Sequence, residues 1–434
     1  MENAEAKRLD IELDSIARIF LSVAVMLITV AVFLGAIGAL MGSDVLHTLH
    51  PYIFFTGFGN LAILILNRYL TSAIYSELAI DTEKQMRYIY GVLFAVVLVF
   101  FSVWQHWPLL KALAGLLLMF IVLSPLREIL STLSLASIWK EVSVRYYIFD
   151  VLFLLNANLG LFTLGLKEAF PDTGLIPFFV TQSAYFLGSS FPLSISVMGF
   201  LYTYVWSRSP KKEIIQQFFS IWFYIFVGGV LVFLIVILMG NYMGMMLVSH
   251  LLTLGVIVLL VGFARYLFRF FHSQFRHPAL AFLLSGLAML LATSAYGIMN
   301  IYFFEPFGSV PPIREEMMWI YHSHTHAALL GWITFSFIGM VYIVIPAIVR
   351  GGSLDILRSE EALSRLLPDS NLSAAFRQLT VALLSTTAVL LGFFLESDLL
   401  LAVAGLVYGG AVYYSVKNLK NAFSRQLQEK KKNL

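Results

Sequence analysis

The chain has 434 residues, of which 59% are apolar and only 12% charged, and its mean hydropathy is +0.85. A soluble domain carries about twice that share of charge. Absence of cysteine excludes disulfides, thiolate metal sites and iron–sulfur clusters, and a formal net charge of +3 gives no general affinity for nucleic acid. The apolar residues fall in long blocks divided by short segments that hold nearly all the charge. A helix needs about 20 such residues to cross a bilayer. Only helices and closed barrels satisfy their backbone in lipid, and blocks of this length exclude a barrel. The predicted fold class is therefore an all-α polytopic membrane protein, residues 1–434 forming one membrane domain with a basic tail at 417–434.

In chain order the spans are predicted at 19–41, 48–66, 88–105, 109–126, 147–166, 177–206, 214–239, 243–263, 279–303, 322–349, 379–395 and 399–415. Residues 1–14 are charged and the first apolar block is long enough to span, so a retained first helix is expected rather than a cleaved signal. The eleventh and twelfth spans are separated only by Glu396, Ser397 and Asp398. With the N-terminus inside and the spans alternating, 25 of the 28 Lys and Arg residues fall inside; Lys111, Lys167 and Arg314 fall outside. That asymmetry supports an even number of spans and both termini on the cytoplasmic side of the plasma (inner) membrane. Lys430, Lys431 and Lys432 read as a topology signal and a contact with anionic lipid, at roughly 1 kcal/mol per charge. Between spans 10 and 11, Leu354, Ile356, Leu357, Leu363 and Leu366 alternate with charges, which predicts a short amphipathic surface helix. Residues 304–321, with Pro306, Pro311 and Pro312, predict an ordered outer loop.

Spans 2, 6 and 10 share a pattern: each starts outside, carries small residues a few positions in, and ends in tyrosine (Tyr69; Tyr202 and Tyr204; Tyr342). Recurrence every fourth helix predicts a pseudo-threefold arrangement of four-helix units about an axis along the membrane normal.

The nine histidines carry the chemical signal. His47 and His50 open span 2, and His322, His324 and His326 open span 10. Alternating spans place both clusters at the outer face, at one depth. Residues four apart share a helix face and residues two apart do not. His322 and His326 therefore look one way and His324 the other, an arrangement that serves a separate group on each side of the helix. Neutral imidazoles facing each other from two helices make a bis-histidine haem site. Bare zinc or copper on the same residues is the rival, but zinc normally takes four ligands and no carboxylate lies within these two spans. His250, about seven residues into span 8, is either a buried histidine bonded to a neighbour or a ligand or distal residue beyond His324. His106, His272 and His277 are loop residues. Asp150 is placed near the inner end of span 5, and Asn156 and Asn158 read as helix-packing contacts.

The stretch His322-Ser-His324-Thr-His326-Ala-Ala-Leu-Leu-Gly331-Trp332, continuing to Gly339-Met-Val-Tyr342 and Ile345-Pro346, resembles the tenth helix of haem–copper oxidase subunit I, in its cbb-type branch. Leu46-His47-Thr48 through Phe58-Gly59-Asn60 resembles that branch's second helix. Together the two stretches cover about 50 residues. The resemblance implies that His326 is a ligand of a low-spin haem b, that its partner is His47 or His50, and that His324 is the axial ligand of a second haem. It also implies work in respiratory electron transfer or small-gas (O2 or NO) handling, with cytochrome or other oxidase-type subunits as partners.

The sequence departs from that family in one respect that bears on chemistry. The family binds copper B through histidines of helices 6 and 7, and here no histidine lies between His106 and His250. Gln182, Ser183 and Tyr185 of span 6, and Trp222 to Phe226 of span 7, stand near those places, so no copper centre is expected. The family's outer arginine pair, which meets haem propionates, is also missing; Arg314 is the candidate substitute. Three readings follow: a haem-bearing electron-transfer or gas-sensing relative of the oxidase subunit, an active terminal oxidase or nitric oxide reductase subunit with an atypical metal site, and a non-haem metal-binding transporter or scaffold.

Overall fold

The computed structural model describes residues 2–75, 77–78, 80–171, 174, 193–270, 277–303, 313–351 and 366–432. They are almost wholly helical, with no strand among them. Eleven helices are long and apolar enough to cross a membrane: Leu13–Met41 (the greater part of α1, Glu2–Met41), Asp44–Ser72 (α2), Thr82–Trp104 (α3), Pro108–Thr132 (α4), Val142–Ala169 (α5), Lys212–Leu238 (α7), Tyr242–Arg269 (α8), Pro278–Tyr302 (α9), Glu315–Val349 (α10), Asp369–Phe394 (α11) and Asp398–Phe423 (the greater part of α12, Asp398–Lys432). Ser194–Arg208 (α6) is the described half of the sixth predicted span. Gln182, Ser183 and Tyr185 lie outside the described residues, as do Pro306, Pro311 and Pro312 and all of the predicted surface helix except Leu366, which is buried.

Local chemistry sets the helix ends. Ser43 and Asp81 cap α2 and α3 by accepting the amides of Leu46 and Lys84. Pro108 and Pro278 open α4 and α9, where a missing N–H costs nothing. The three residues between α11 and α12 suffice for a reversal, because Glu396 takes φ +50 and Ser397 N bonds Gly392 O at 2.9 Å. The basic tail continues α12 as helix to Lys432.

Arg18 lies over the ring of Phe423, while residues near Ala36 pack at Gly405, so α1 and α12 run antiparallel and both termini share one end of the bundle. Association of helices in lipid rests on close packing and polar contacts rather than on burial from water. At Gly115 and Gly165 a β-carbon would stand 2.4 Å from backbone nitrogens of Phe162 and Ala112, so α4 and α5 touch main chain to main chain. Asn60 of α2 and Asn158 of α5 exchange hydrogen bonds of 3.3 and 2.9 Å, the helix-packing role expected for Asn158. Two buried cations are ion-paired: Arg68 with Glu128 at 2.5 Å, and Lys111 with Glu168 at 2.6 Å.

The bundle interior is occupied by α2, α6 and α10, the three helices singled out by the recurring sequence pattern. The most apolar stretch of α10 is fully buried and that of α2 is 78% buried, and α6 is buried along nearly its whole length. Outside them, α7 and α8 present most of their surface outward, with 33% and 17% of their most apolar stretches buried.

Candidate functional site: a histidine slot between α2 and α10

Both histidine clusters lie at the end of the bundle opposite the termini, since α2 begins where α1 ends. His50 and His326 face each other with ring centroids 6.3 Å apart and planes inclined by 29°. His47, one turn out, is exposed and meets His50 edge-on at 6.3 Å. His322 lies one turn out from His326, 6.4 Å away, and stacks on Phe393 of α11 at 5.2 Å. Phe393 also closes the side of His326 at 4.6 Å. Of the two residues open as partners of His326, the fold thus sets His50 opposite it, with His47 behind.

Hydrogen bonding fixes which nitrogen is free. His326 Nδ1 lies 2.8 Å from the carbonyl of His322. A carbonyl only accepts, so Nδ1 carries the proton and Nε2 of the neutral ring keeps its lone pair. His50 Nδ1 is buried and has no partner in bonding geometry. Its ring lies on Gly35 of α1, where a β-carbon would stand 3.2 Å away.

The helical backbone changes character beside both histidines. Ile53–Gly59 in α2 and Ala327–Ile333 in α10 are π-helical. Such turns widen the ladder and re-aim side chains, frequently at functional sites. Side chains donate into the widened turns: Asn60 to Phe55 O at 3.2 Å, Thr334 to Leu329 O at 2.7 Å, and Tyr408 to Leu330 O at 2.5 Å. The periodicity of the sequence carries no mark of these turns, because every residue in them is apolar or small.

His324 points the other way, as its spacing predicts. Its Nδ1 is 2.8 Å from Thr293 O of α9, and its ring packs on Gly297. His250 is exposed on α8 and its Nδ1 bonds Met246 O of its own helix at 2.7 Å. Arg314 is exposed at the lip of α10, its amide bonded to Phe303 O at 3.3 Å. His277 caps α9, and His272 lies outside the described residues. One buried group was placed too shallow by the sequence: α5 begins five residues earlier than predicted, and Asp150 is fully buried inside the bundle.

The slot suits a metal whose remaining positions come from elsewhere. Two imidazoles bound to one metal, each through a bond of about 2.0 Å, hold their centroids roughly 6.3 Å apart once the ring radii are included. A bare ion would need further ligands, and among the described residues no three His, Asp or Glu side chains gather to hold one. A tetrapyrrole would bring its own ring nitrogens, and His50 and His326 are the residues that would hold its metal. No protein-family model matches the chain, and no curated protein matches it either.

Proposed function

We propose that this protein is a haem-carrying integral membrane protein of the electron-transfer or small-gas-handling kind, akin to subunit I of the haem–copper oxidases but without a copper B centre. The single observation that carries the reading is the His50–His326 pair, whose ring centroids stand 6.3 Å apart, the spacing two imidazoles on one metal would take. A haem b bound there would supply reversible one-electron exchange.

The chain's own residues do the rest. The His322 carbonyl holds the His326 ring in the tautomer that leaves Nε2 as the ligand atom. Phe393 packs on the His326 ring, and Gly35 leaves the space that the His50 ring fills. His47 and His322 stand between the slot and the outer face, and Arg314 is the nearby outer cation of the sequence pattern. His324, with its Nδ1 held by Thr293 O, offers Nε2 to a second group on the far side of α10. The absence of histidine from 107 to 249 argues against copper at that second site, so oxygen reduction at a haem–copper pair is not part of the proposal. By the distribution of cations, the termini lie in the cytoplasm and the slot opens toward the outside of the plasma membrane.

A reduced-minus-oxidised optical spectrum of the purified protein, with metal analysis, tests the reading. Haem b bands with iron and without stoichiometric copper are expected. A preparation lacking haem, or one holding stoichiometric copper and showing cyanide-sensitive oxygen consumption, would overturn it.

A further inference from the structure

The sixth span begins its described helix within the bundle. Leu193 stands at φ +72, in the left-handed region, and α6 starts at Ser194. The first amides of a helix have no partner within it and carry a partial positive charge of about half a unit. Asp150 of α5 answers that charge. Its Oδ2 accepts the Ser196 amide at 3.1 Å and the Ser196 hydroxyl, and the Leu193 amide also bonds the carboxylate. Asp150 is 0% exposed, and its Oδ1 has no hydrogen-bond partner. No charged side chain among the described residues contacts it.

The charged and titratable groups on the surrounding elements are engaged elsewhere. Arg145 of α5 bonds Ser220 Oγ at 3.1 Å, and Arg68 of α2 bonds Glu128 of α4. Tyr147 bonds Thr203, and Tyr146 bonds Phe219 O. Lys140, Lys212 and Glu213 are exposed at the end of the bundle that carries the termini. The helix start thus offsets about half of the carboxylate charge, leaving the remainder uncompensated in a low-dielectric interior, where an ionisable group is costly and marks function. A metal cation would meet the amide donors and a single open oxygen. A proton needs only that oxygen.

We propose that Asp150 is an intramembrane proton-binding site, filled and emptied from the end of the bundle that carries the termini. Polar groups continue from it toward that end: Tyr147 with Thr203, Asn67 bonded to Tyr147 O at 3.4 Å, and Ser143 bonded to Glu141 at 3.1 Å. On its other side the site is tied to the histidine slot. Ser194 Oγ accepts Trp332 Nε1 at 2.8 Å, and Trp332 lies six residues beyond His326, about 9 Å along α10. Charge added at the slot by a one-electron donor would therefore favour the protonated carboxyl; this link, unlike the proton site itself, rests on the haem reading.

Infrared difference spectroscopy of the purified full-length protein under pH steps tests the proposal. The expected result is a carboxylic-acid carbonyl band that grows as pH falls, is missing from Asp150→Asn and is shifted in Asp150→Glu. Circular dichroism of both variants should match the wild type, and Asp150→Glu guards against misreading a folding defect. A band unchanged in Asp150→Asn, or no titrating band in the wild type, would overturn it. In a second arm, dithionite at fixed pH should raise the same band. Haem bands present with no change on reduction would overturn the link to the slot, whereas missing haem bands would sink the haem reading and leave the pH arm to decide the proton site.

Discussion

The inner helices α2 and α10 and the outer pair α7 and α8 rank in opposite order by hydropathy and by burial. By mean hydropathy the outer pair is the more apolar, at 2.9 and 2.4 against 1.5 and 2.2. Yet the most apolar stretch of α10 is wholly buried, and that of α8 is only 17% buried. The inner helices hold facing histidines, π-helical turns and side-chain donors that satisfy the widened turns. The outer helices also contain a histidine and a π-helical turn, at His250 and Tyr224–Gly228, but His250 faces outward and bonds only its own helix. Hydropathy thus marks what crosses lipid, and chemistry resides where polar groups of two helices meet out of its reach. A histidine in a span is a candidate ligand only when a second element brings a partner to it.

The largest expected effect breaks this comparison directly. His326→Leu and His50→Leu should each abolish the low-spin haem signal, and His250→Leu should leave haem content unchanged, as measured by optical spectroscopy per mole of protein. Loss of haem from His250→Leu, or its retention in His326→Leu, would reverse the assignment of the two regions. A smaller effect is expected one shell out. In Gly35→Val the new side chain would press on the His50 ring, since even a β-carbon would stand 3.2 Å from it, and haem affinity should fall roughly 10-fold. Titration of the haem-free protein measures that.

Two further effects concern stability. Trp332→Phe removes the donor to Ser194 Oγ and should cost about 1 kcal/mol, read from thermal unfolding in detergent, while Leu254→Ala on the exposed face of α8 should cost less than half of that. The last effect, at His277 just outside α9, emerges only on acidification. Burial lowers its pKa from 6.5 to about 4. The unfolded chain therefore binds the proton more readily between these values, and stability falls as pH drops through that window, by at most about 1.4 kcal/mol per pH unit. His277→Asn keeps a capping side chain and should flatten the pH dependence of Tm over that range.

Much of the fold was legible because the physics is one-dimensional. Among the described residues, eleven of the twelve expected spans recur as long helices, since lipid forces apolar length on each, and the hairpin at Glu396 formed despite its brevity. The opposed faces of His322 with His326 and of His324 followed from helix geometry alone. What the sequence left open was pairwise. The sequence pattern admits both His47 and His50, with His50 favoured as the deeper of the two, and only the packing of α2 against α10 decides which faces His326. The π-helical turns left no trace in composition. Asp150 read as an end-of-span residue because Val142, Ser143 and Val144 were counted as loop. The left-handed Leu193 that gives Asp150 a helix start to cap has no sequence signature, for leucine rarely adopts that conformation.

The measurement that tests the central claim most directly is electron paramagnetic resonance of the oxidised protein beside its His50→Ala and His47→Ala variants. If His50 and His326 clamp one haem iron, the wild type and His47→Ala should show a low-spin ferric signal, and His50→Ala should replace it with a high-spin one. A low-spin signal that survives in His50→Ala, or a wild-type protein with no ferric haem signal, would contradict the account.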